Sequence, residues 1–469
     1  MNGWTFDAIR EAARGEWVGP PPRRAEPPVG AAIDSREVGA GMVFAAYKGE
    51  RADGHAFLGR AADAGASMAI VTDPGGVPEG LGMPCLRVDD ATDALERLAS
   101  LWRGLMSGLR VVGVTGSNGK STTCRLLHAA ACSGGGLAGS RTPRSYNNAI
   151  GVPLTVLNAK PGDRVLVCEI GMSTPGEIAA RCETARPDAA IITTVGEAHL
   201  EGVGSLEGIA REKASIAARL PGGAPLFMPA GIGVLEDAVA ALERSPRVVR
   251  VRYEEDACDA DHVVAGVTGA GVGVRFLLDD AALEIPMPGV HNAMNAALAV
   301  LAARWLGVGD GAVRAGLARA SGAGMRLERE SIPSGPPIAV INDAYNANPS
   351  SMRAALGVLG GEPGLRRVAV LGDMLELGDS EGRYHREVLG LANGIADVVL
   401  TVGPRFAAAA GSGRGDPDAA AISRIADAIR PGDAVLLKGS RGMRVERVLG
   451  ALRARYAHAG DTERSAVDA

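Results

Sequence analysis

Chemistry in this chain starts at Lys120 and Ser121. Val111-Val112-Gly113-Val114 is β-branched and strand-like, Thr115-Gly116-Ser117-Asn118-Gly119 is a glycine-bearing loop, and a helical pattern runs from Lys120-Ser121-Thr122 through Leu126 and Leu127. That order turns loop N–H groups and a helix N-terminus toward one point, which suits phosphate oxygens. A lysine there adds a point charge on the terminal phosphates, and the serine hydroxyl can ligate Mg²⁺. The plain alternative is a glycine-rich turn between strand and helix, and Gly-Lys-Ser at the junction argues against it. The spacing departs from the usual phosphate loop: Val114 stands six residues before Lys120, where glycine is usual, and glycines fall at 113 and 116.

Other polar residues fall at the ends of apolar runs. Glu169 ends one such run in Cys168-Glu169-Ile170-Gly171, and His199 follows another in Thr193-Thr194-Val195-Gly196-Glu197-Ala198-His199. Open α/β sheets gather ligands at the C-terminal ends of their strands, so a carboxylate beside a nucleotide loop suggests a Mg²⁺ ligand. For Glu169 the plain alternative is an exposed or capping acid; for His199 it is a structural histidine. Asn147-Asn148 and Asn292 with Asn295 can donate to a substrate or an adenine edge, or only cap their helices. Further along, Asn342-Asp343-Ala344-Tyr345-Asn346-Ala347-Asn348-Pro349, Gly372-Asp373-Met374 and Lys438-Gly439-Ser440-Arg441 each place polar groups just past an apolar run. Three such loops on one edge imply a second cleft face.

Lysine usage sharpens the choice. Of 49 basic side chains only five are lysines, at 48, 120, 160, 213 and 438. Arginine is always charged and planar, whereas lysine is compact and can lose its proton and react. A chain this biased toward arginine keeps lysine mainly where arginine fails. Lys160, in a Pro-Gly turn, reads as a surface residue.

The elements that must position these groups read as a three-part α/β chain. The 469 residues are 46% hydrophobic but only 3% aromatic, so the cores must be built from Val, Ile, Leu and Ala. A net charge of −5 argues against a general nucleic-acid or membrane-surface binder. No apolar run approaches the ~20 residues of a membrane span, and no signal peptide is visible. Six scattered cysteines show no metal spacing and fit a reducing cytosol, so a cytoplasmic protein is expected. A short helical pattern and a Pro-rich linker, residues 19–30, precede strands near 41–46 and 68–71 and a helix near 94–105. Strands at 110–114, 164–170, 189–195 and 225–228, a β-rich patch at 262–288 and a helix at 291–305 form the second part. Strands at 338–342, 368–371, 398–402 and 434–437 form the third, and alternation with helices predicts mostly parallel sheets. The expected division is 1–107, 108–323 and 324–458, with a polar tail at 459–469.

Thr115-Gly116-Ser117-Asn118-Gly119-Lys120-Ser121 resembles the phosphate loop of the Mur ligases, ATP-dependent amide-forming enzymes of peptidoglycan precursor synthesis. Their loop has its glycine four residues before the lysine, which accounts for Val114. Asp343 to Pro349, Ala198 to Ser205, Val370 to Gly378, and Asp34-Ser35-Arg36 with Lys48 to His55 resemble the family member that adds a dipeptide. The resemblance implies a small UDP-substrate-binding domain, a central P-loop ATP-binding domain and a C-terminal Rossmann-like domain. It implies that Thr115 to Thr122, Asn292, Arg326 and Asp343 hold ATP. Ser121, Glu169, His199 and a carbamylated Lys213 would hold metal, since only a neutral amine takes up CO₂ and arginine would not serve. Ser35, Arg36, Lys48, Gly49, Asp53, His55, Asn147, Asn148, Tyr345, Asn346, Lys438, Ser440 and Arg441 would meet substrate.

Two departures stand out: Ala149 replaces an expected acid, and Gly324-Met325-Arg326 carries an extra residue before the arginine. The implied reaction joins D-alanyl-D-alanine to a UDP-N-acetylmuramoyl-tripeptide through an acyl phosphate, with ATP and Mg²⁺. The expected protein is a monomer with no nucleic-acid partner, and a form open at rest is expected. The alternatives are a sister ligase adding another residue, a folate polyglutamate ligase, a P-loop kinase of a small metabolite, and a non-catalytic nucleotide-binding scaffold.

Overall fold

The computed structural model describes residues 3–19, 21–22, 26–49, 52–270, 273–362, 366–411 and 419–457. The expected tail, Glu50 and Arg51 of the opening motif and part of the Pro-rich linker lie outside them.

Three sheets follow one another along the chain. The first runs Glu16–Val18, Cys85–Arg87, Met68–Val71, Val43–Ala45, Ala31–Ala32 in hydrogen-bonded order, parallel except for its antiparallel first pair. The helix Ala91–Leu105, whose Ala94, Leu95, Leu98 and Trp102 recur at helical spacing and are buried, packs against Phe6–Ala13, Gly151–Leu157 and Glu177–Ala185 and joins the first sheet's core to that of the second. Asp90 caps that helix by accepting from Asp93 N, which fixes its start three residues before the sequence pattern begins.

The second sheet has nine strands and positions the site. Arg110–Thr115 lies between Ala189–Ile192 and Val165–Glu169, parallel to both, with Val114 level with Glu169. The chain leaves Arg110–Thr115 toward the Gly139–Arg141 edge, but leaves Val165–Glu169 toward Ala189–Ile192 on the other side. Connections that diverge from neighbouring strands open a crevice at their carboxyl ends. On the far side come Pro225–Pro229 and Arg247–Tyr253, then His262–Ala270, Gly273–Leu278 and Ala281–Ile285, the last two pairings antiparallel. The helix Asn292–Trp305 is buried continuously from Asn292 to Ala303. Its alanines let it lie close against the phosphate-loop helix Lys120–His128. Truncating Leu298 or Leu126, both fully buried, to alanine costs about 2–5 kcal/mol.

The third sheet runs Glu328–Ile332, Ile338–Asp343, Ala434–Lys438, Arg367–Gly372, Val398–Val402, parallel after the first pair. Asp343 and Lys438 are in register at the ends of adjacent strands. The strands Glu16–Val18, Ala31–Ala32, Cys85–Arg87, Gly139–Arg141, Arg247–Tyr253 and Glu328–Ile332 are additions to the sequence reading.

Candidate functional site

The phosphate loop is shaped by two glycines. Gly116 has φ +147° and a Cβ there would collide with Thr193 Oγ1, so only glycine lets the loop pass so close to the neighbouring strand end. Gly119, at φ +79°, turns the chain into the Lys120–His128 helix without a capping side chain. The first-turn N–H groups of a helix have no intrahelical acceptor, so they remain for an anion. Ser117 N donates to Thr194 O and Asn118 N to Thr194 Oγ1, which locks the loop's inner edge. Lys120 Nζ donates to Gly116 O at 2.7 Å, curling over its own loop. Burial lowers the pKa of this ammonium, against the pull of the Glu169 carboxylate.

Glu169 is 1% exposed and both its oxygens are held by neutral donors. Ser121 Oγ donates to Oε2 and Asn147 Nδ2 to Oε1, both at 2.7 Å, and the Ser145 hydroxyl lies 3.2 Å from Ser121 Oγ. A buried carboxylate next to a hydroxyl, with no ammonium or guanidinium bound to it, is an oxygen donor set suited to a hard divalent cation. Asn148 accepts from Ile150 N and Gly151 N, so of the two amides one serves Glu169 and the other caps the Gly151–Leu157 helix.

Lys213 sits on the helix Leu206–Ala218, is 1% exposed, and makes no hydrogen bond or ion pair among the described residues. Burial, reinforced by the like charge of Lys120, pushes its pKa well below the ordinary lysine value. Its neighbour Glu212 gives no relief, because that carboxylate accepts from Gly176 N and Ile178 N at the start of the Glu177–Ala185 helix. Lys213 lies behind the cleft wall rather than on it. Among the described residues no three His, Cys, Asp or Glu side chains converge as a metal cluster.

The cleft holds about 930 Å³ between the second and third sheets. Lys120, Glu169, Asn147, Asn148, His199 and Asn292 line one side, with Arg326, Asp343, Tyr345, Asn346 and Lys438 opposite. Asn292 Nδ2 donates to Pro288 O and Oδ1 accepts from Asn295, which fixes the amide's orientation. Arg326 lies over the Tyr345 ring at 4.2 Å, and its Nη2 reaches Ser145 Oγ at 3.4 Å. The extra residue before it is absorbed by left-handed turns at Met325 and Leu327, φ +57° and +53°.

Several expected site residues are already hydrogen-bonded within the protein. Lys438 Nζ donates to Asp343 Oδ2 at 2.5 Å and to Asn346 O at 3.1 Å, and Leu327 N donates to Asp343 Oδ1. Ser440 and Arg441 do not line the cleft: Ser440 Oγ accepts from Leu375 N and donates to Ala347 O, while Arg441 pairs with Glu446. Ser35, Arg36, Lys48, Gly49, Asp53 and His55 lie on the first sheet's loops, away from this cleft. Arg36 pairs with Asp34, whose carboxyl that contact lowers to about 2. His55 is buried, with Nδ1 2.7 Å from Asp53 and Nε2 accepting from Thr72 N and Asp73 N, so both ring nitrogens serve the fold.

The two sides of the cleft are in contact. Asn118 and Asn348 exchange amide hydrogen bonds, Asn118 Nδ2 donates to Ser350 Oγ at 2.7 Å, and Arg353 reaches Glu197. His199 Nδ1 lies 2.5 Å from Glu376 Oε2. Ser145, Ser350 and Glu376 are additions to the sequence reading. Glu376 alone carried a signal, as the acid of the motif ending at Gly378.

Comparison with known proteins agrees along the chain. Residues 29–103 match the model described as Mur ligase family, catalytic domain, residues 114–303 the Mur ligase middle domain, and residues 325–441 the Mur ligase, glutamate ligase domain. The UDP-N-acetylmuramoyl-tripeptide--D-alanyl-D-alanine ligase of Bacillus subtilis is 34% identical over 438 residues, covering 90% of this chain and 92% of its own. That of Escherichia coli is 34% identical, covering 89% and 92%. Among solved structures, MurF from Acinetobacter baumannii superposes with a TM-score of 0.79 at 30% identity, covering 96% and 99%. MurF ligase from Thermotoga maritima in complex with ADP gives 0.74 at 28%, covering 92% and 98%.

Proposed function

This chain belongs to the Mur ligase family, and from that premise we propose that it joins D-alanyl-D-alanine to a UDP-N-acetylmuramoyl-tripeptide with ATP, giving the pentapeptide, ADP and phosphate. The observation that carries the reading is the cleft itself. It sets a phosphate loop with a buried carboxylate against a second wall bearing Arg326, Asp343 and Lys438, at near full-length similarity to ligases of that name. A sister ligase or a small-metabolite kinase is disfavoured by that similarity.

A terminal carboxylate oxygen of the tripeptide attacks the γ-phosphorus as the bond to the ADP oxygen breaks, leaving an acyl phosphate. The dipeptide amine then attacks the acyl carbon, loses its proton, and phosphate leaves. Little covalent chemistry falls to the protein, so positioning and charge neutralisation dominate. The loop N–H groups and Lys120 would hold the transferring phosphoryl group, Asn292 the adenine, and Arg326 would reach the phosphates from the other wall. Ser121 and Glu169 would hold Mg²⁺ and His199 would ligate metal from the same side of the cleft, with Lys213, behind that side, contributing only once carbamylated. Bound there, the ions would neutralise charge on the phosphoryl oxygens. An amine buried without a partner among the described residues favours the neutral form that reacts with CO₂, which supports the modification of Lys213.

Lys438, which lines the cleft, would hold the Asp343 carboxylate in place beside the incoming dipeptide. The first-sheet residues Ser35, Arg36, Lys48, Gly49 and Asp53 would bind the UDP end. No helix among the described residues is long and apolar enough to cross a membrane, and use of ATP and a UDP-linked substrate supports a cytoplasmic location.

Phosphate release tests the reading. It should require tripeptide and D-alanyl-D-alanine together and yield the pentapeptide by mass. A stable phosphorylated product formed without dipeptide would make the protein a kinase.

A further inference from the structure

His199 and Glu376 meet across the cleft from loops of different sheets, and both hold left-handed φ values, +62° and +64°. For non-glycine residues such geometry persists only where surrounding contacts fix it. Here they do. Glu201 N donates to Glu376 O at 3.1 Å, and a Cβ on Gly378 would lie 3.4 Å from Glu201 Cα, so the 376–378 loop rests against the short helix after His199. From its own side the loop is pinned by buried Met374 and Leu377, by Met374 N donating to His385 Nε2, and by Leu375 N donating to Ser440 Oγ. The neighbouring acid, Asp373, is turned inward and accepts from Arg405 N and Phe406 N. Glu376 is the acid of this loop that reaches the other wall, 2.5 Å from His199 Nδ1.

A ligating histidine commonly hands its second ring N–H to a carboxylate, which fixes tautomer and orientation. We propose that Glu376 is a positioning residue delivered when the third domain closes: its carboxylate lies against His199 Nδ1, which hydrogen-bonds to no group among the described residues, and so leaves the Nε2 lone pair for a divalent cation in the cleft. The proposal rests on the reading of His199 as a metal ligand given above. It makes cation binding and domain closure two sides of one equilibrium, because the ligand is correctly held only when the walls meet.

The test is Mn²⁺ binding followed by electron paramagnetic resonance, in the full-length protein with a non-hydrolysable ATP analogue present. The proteins compared are wild type, Glu376→Ala, Glu376→Lys, His199→Ala and the Glu376→Ala/His199→Ala double variant. Glu376 is exposed enough for either replacement to fold, and melting curves check this. Both Glu376 variants should weaken Mn²⁺ about tenfold. In the His199→Ala background Glu376→Ala should change nothing further. Either folded Glu376 variant binding Mn²⁺ within twofold of wild type, or effects of the two sites that multiply, would overturn the proposal. Unchanged binding in His199→Ala would overturn the ligand assignment beneath it, while leaving the phosphate-release test of the reaction untouched.

Discussion

The two walls of the cleft treat their charges in opposite ways. On the central wall charge is left without a bonded counter-charge: Lys120 rests on carbonyls of its own loop and Glu169 is held by neutral donors, while behind that wall Lys213 is buried with no ion pair among the described residues. On the third-domain wall charge is settled within the protein: Lys438 pairs with Asp343, Arg326 lies over Tyr345, and Ser440 ties two loops together. The first arrangement is costly alone and becomes favourable when phosphates and cations arrive. The second is stable alone and serves to hold a shape. One wall binds and the other aims.

The largest expected effect tests the binding wall. Lys120→Ala should cut kcat/KM for phosphate release by about 10²–10³-fold with the melting temperature nearly unchanged. Lys120→Arg should not restore it, since a planar guanidinium cannot occupy the position of a compact ammonium. A fall in both activity and melting temperature would make Lys120 a structural residue.

Next comes the contrast between two buried lysines. Lys438→Met strands the Asp343 carboxylate and should cost about 3–5 kcal/mol in urea unfolding, most of it recovered in Lys438→Met/Asp343→Asn. Lys213→Met removes a buried amine that has no partner among the described residues and should be neutral or stabilising while activity is lost. Equal destabilisation by both would erase the difference between the walls.

A smaller effect is confined to the aiming wall. His385 is fully buried, Nδ1 donates to Glu381 O and Nε2 accepts from Met374 N, and burial holds its pKa below the ordinary 6.5. Between that lowered value and 6.5 the unfolded imidazole binds a proton that the folded one refuses. Its contribution is therefore full above 6.5 and lost as pH falls through that window. Hydrogen exchange at Met374 N, corrected for intrinsic rates, should lose protection on acidification, and His385→Gln should flatten the dependence.

The smallest effect, about 1 kcal/mol, is expected for Ser440→Ala, which releases Leu375 N and Ala347 O. KM for the dipeptide should stay within about twofold. A rise of tenfold or more would return Ser440 to substrate contact.

The binding wall was far more legible in the sequence than the aiming wall, and the reason is locality. Strand, glycines, Lys120 and Ser121 are adjacent in the chain, and the glycines encode the turn directly. Glu169 could be picked out because it ends an apolar run, and its bond to Ser121 follows from parallel register. Glu376 meets His199 across two different sheets, a contact that no local pattern records. His55 and Ser440 show how the fold can claim such groups for itself. Both carry reactive-looking atoms in site-like motifs, yet backbone groups distant in sequence use those atoms. The sheet cores were readable from β-branched runs, whereas three-residue edge strands such as Glu16–Val18 and Gly139–Arg141 are too short to show a period.

The central claim is that the two walls bring a substrate carboxylate to the γ-phosphate held by the Lys120 loop. Tripeptide labelled with ¹⁸O in its terminal carboxylate tests this in one turnover. The account predicts that each inorganic phosphate released with D-alanyl-D-alanine present carries one ¹⁸O from that carboxylate, read by mass spectrometry. Unlabelled phosphate formed alongside the pentapeptide would contradict it.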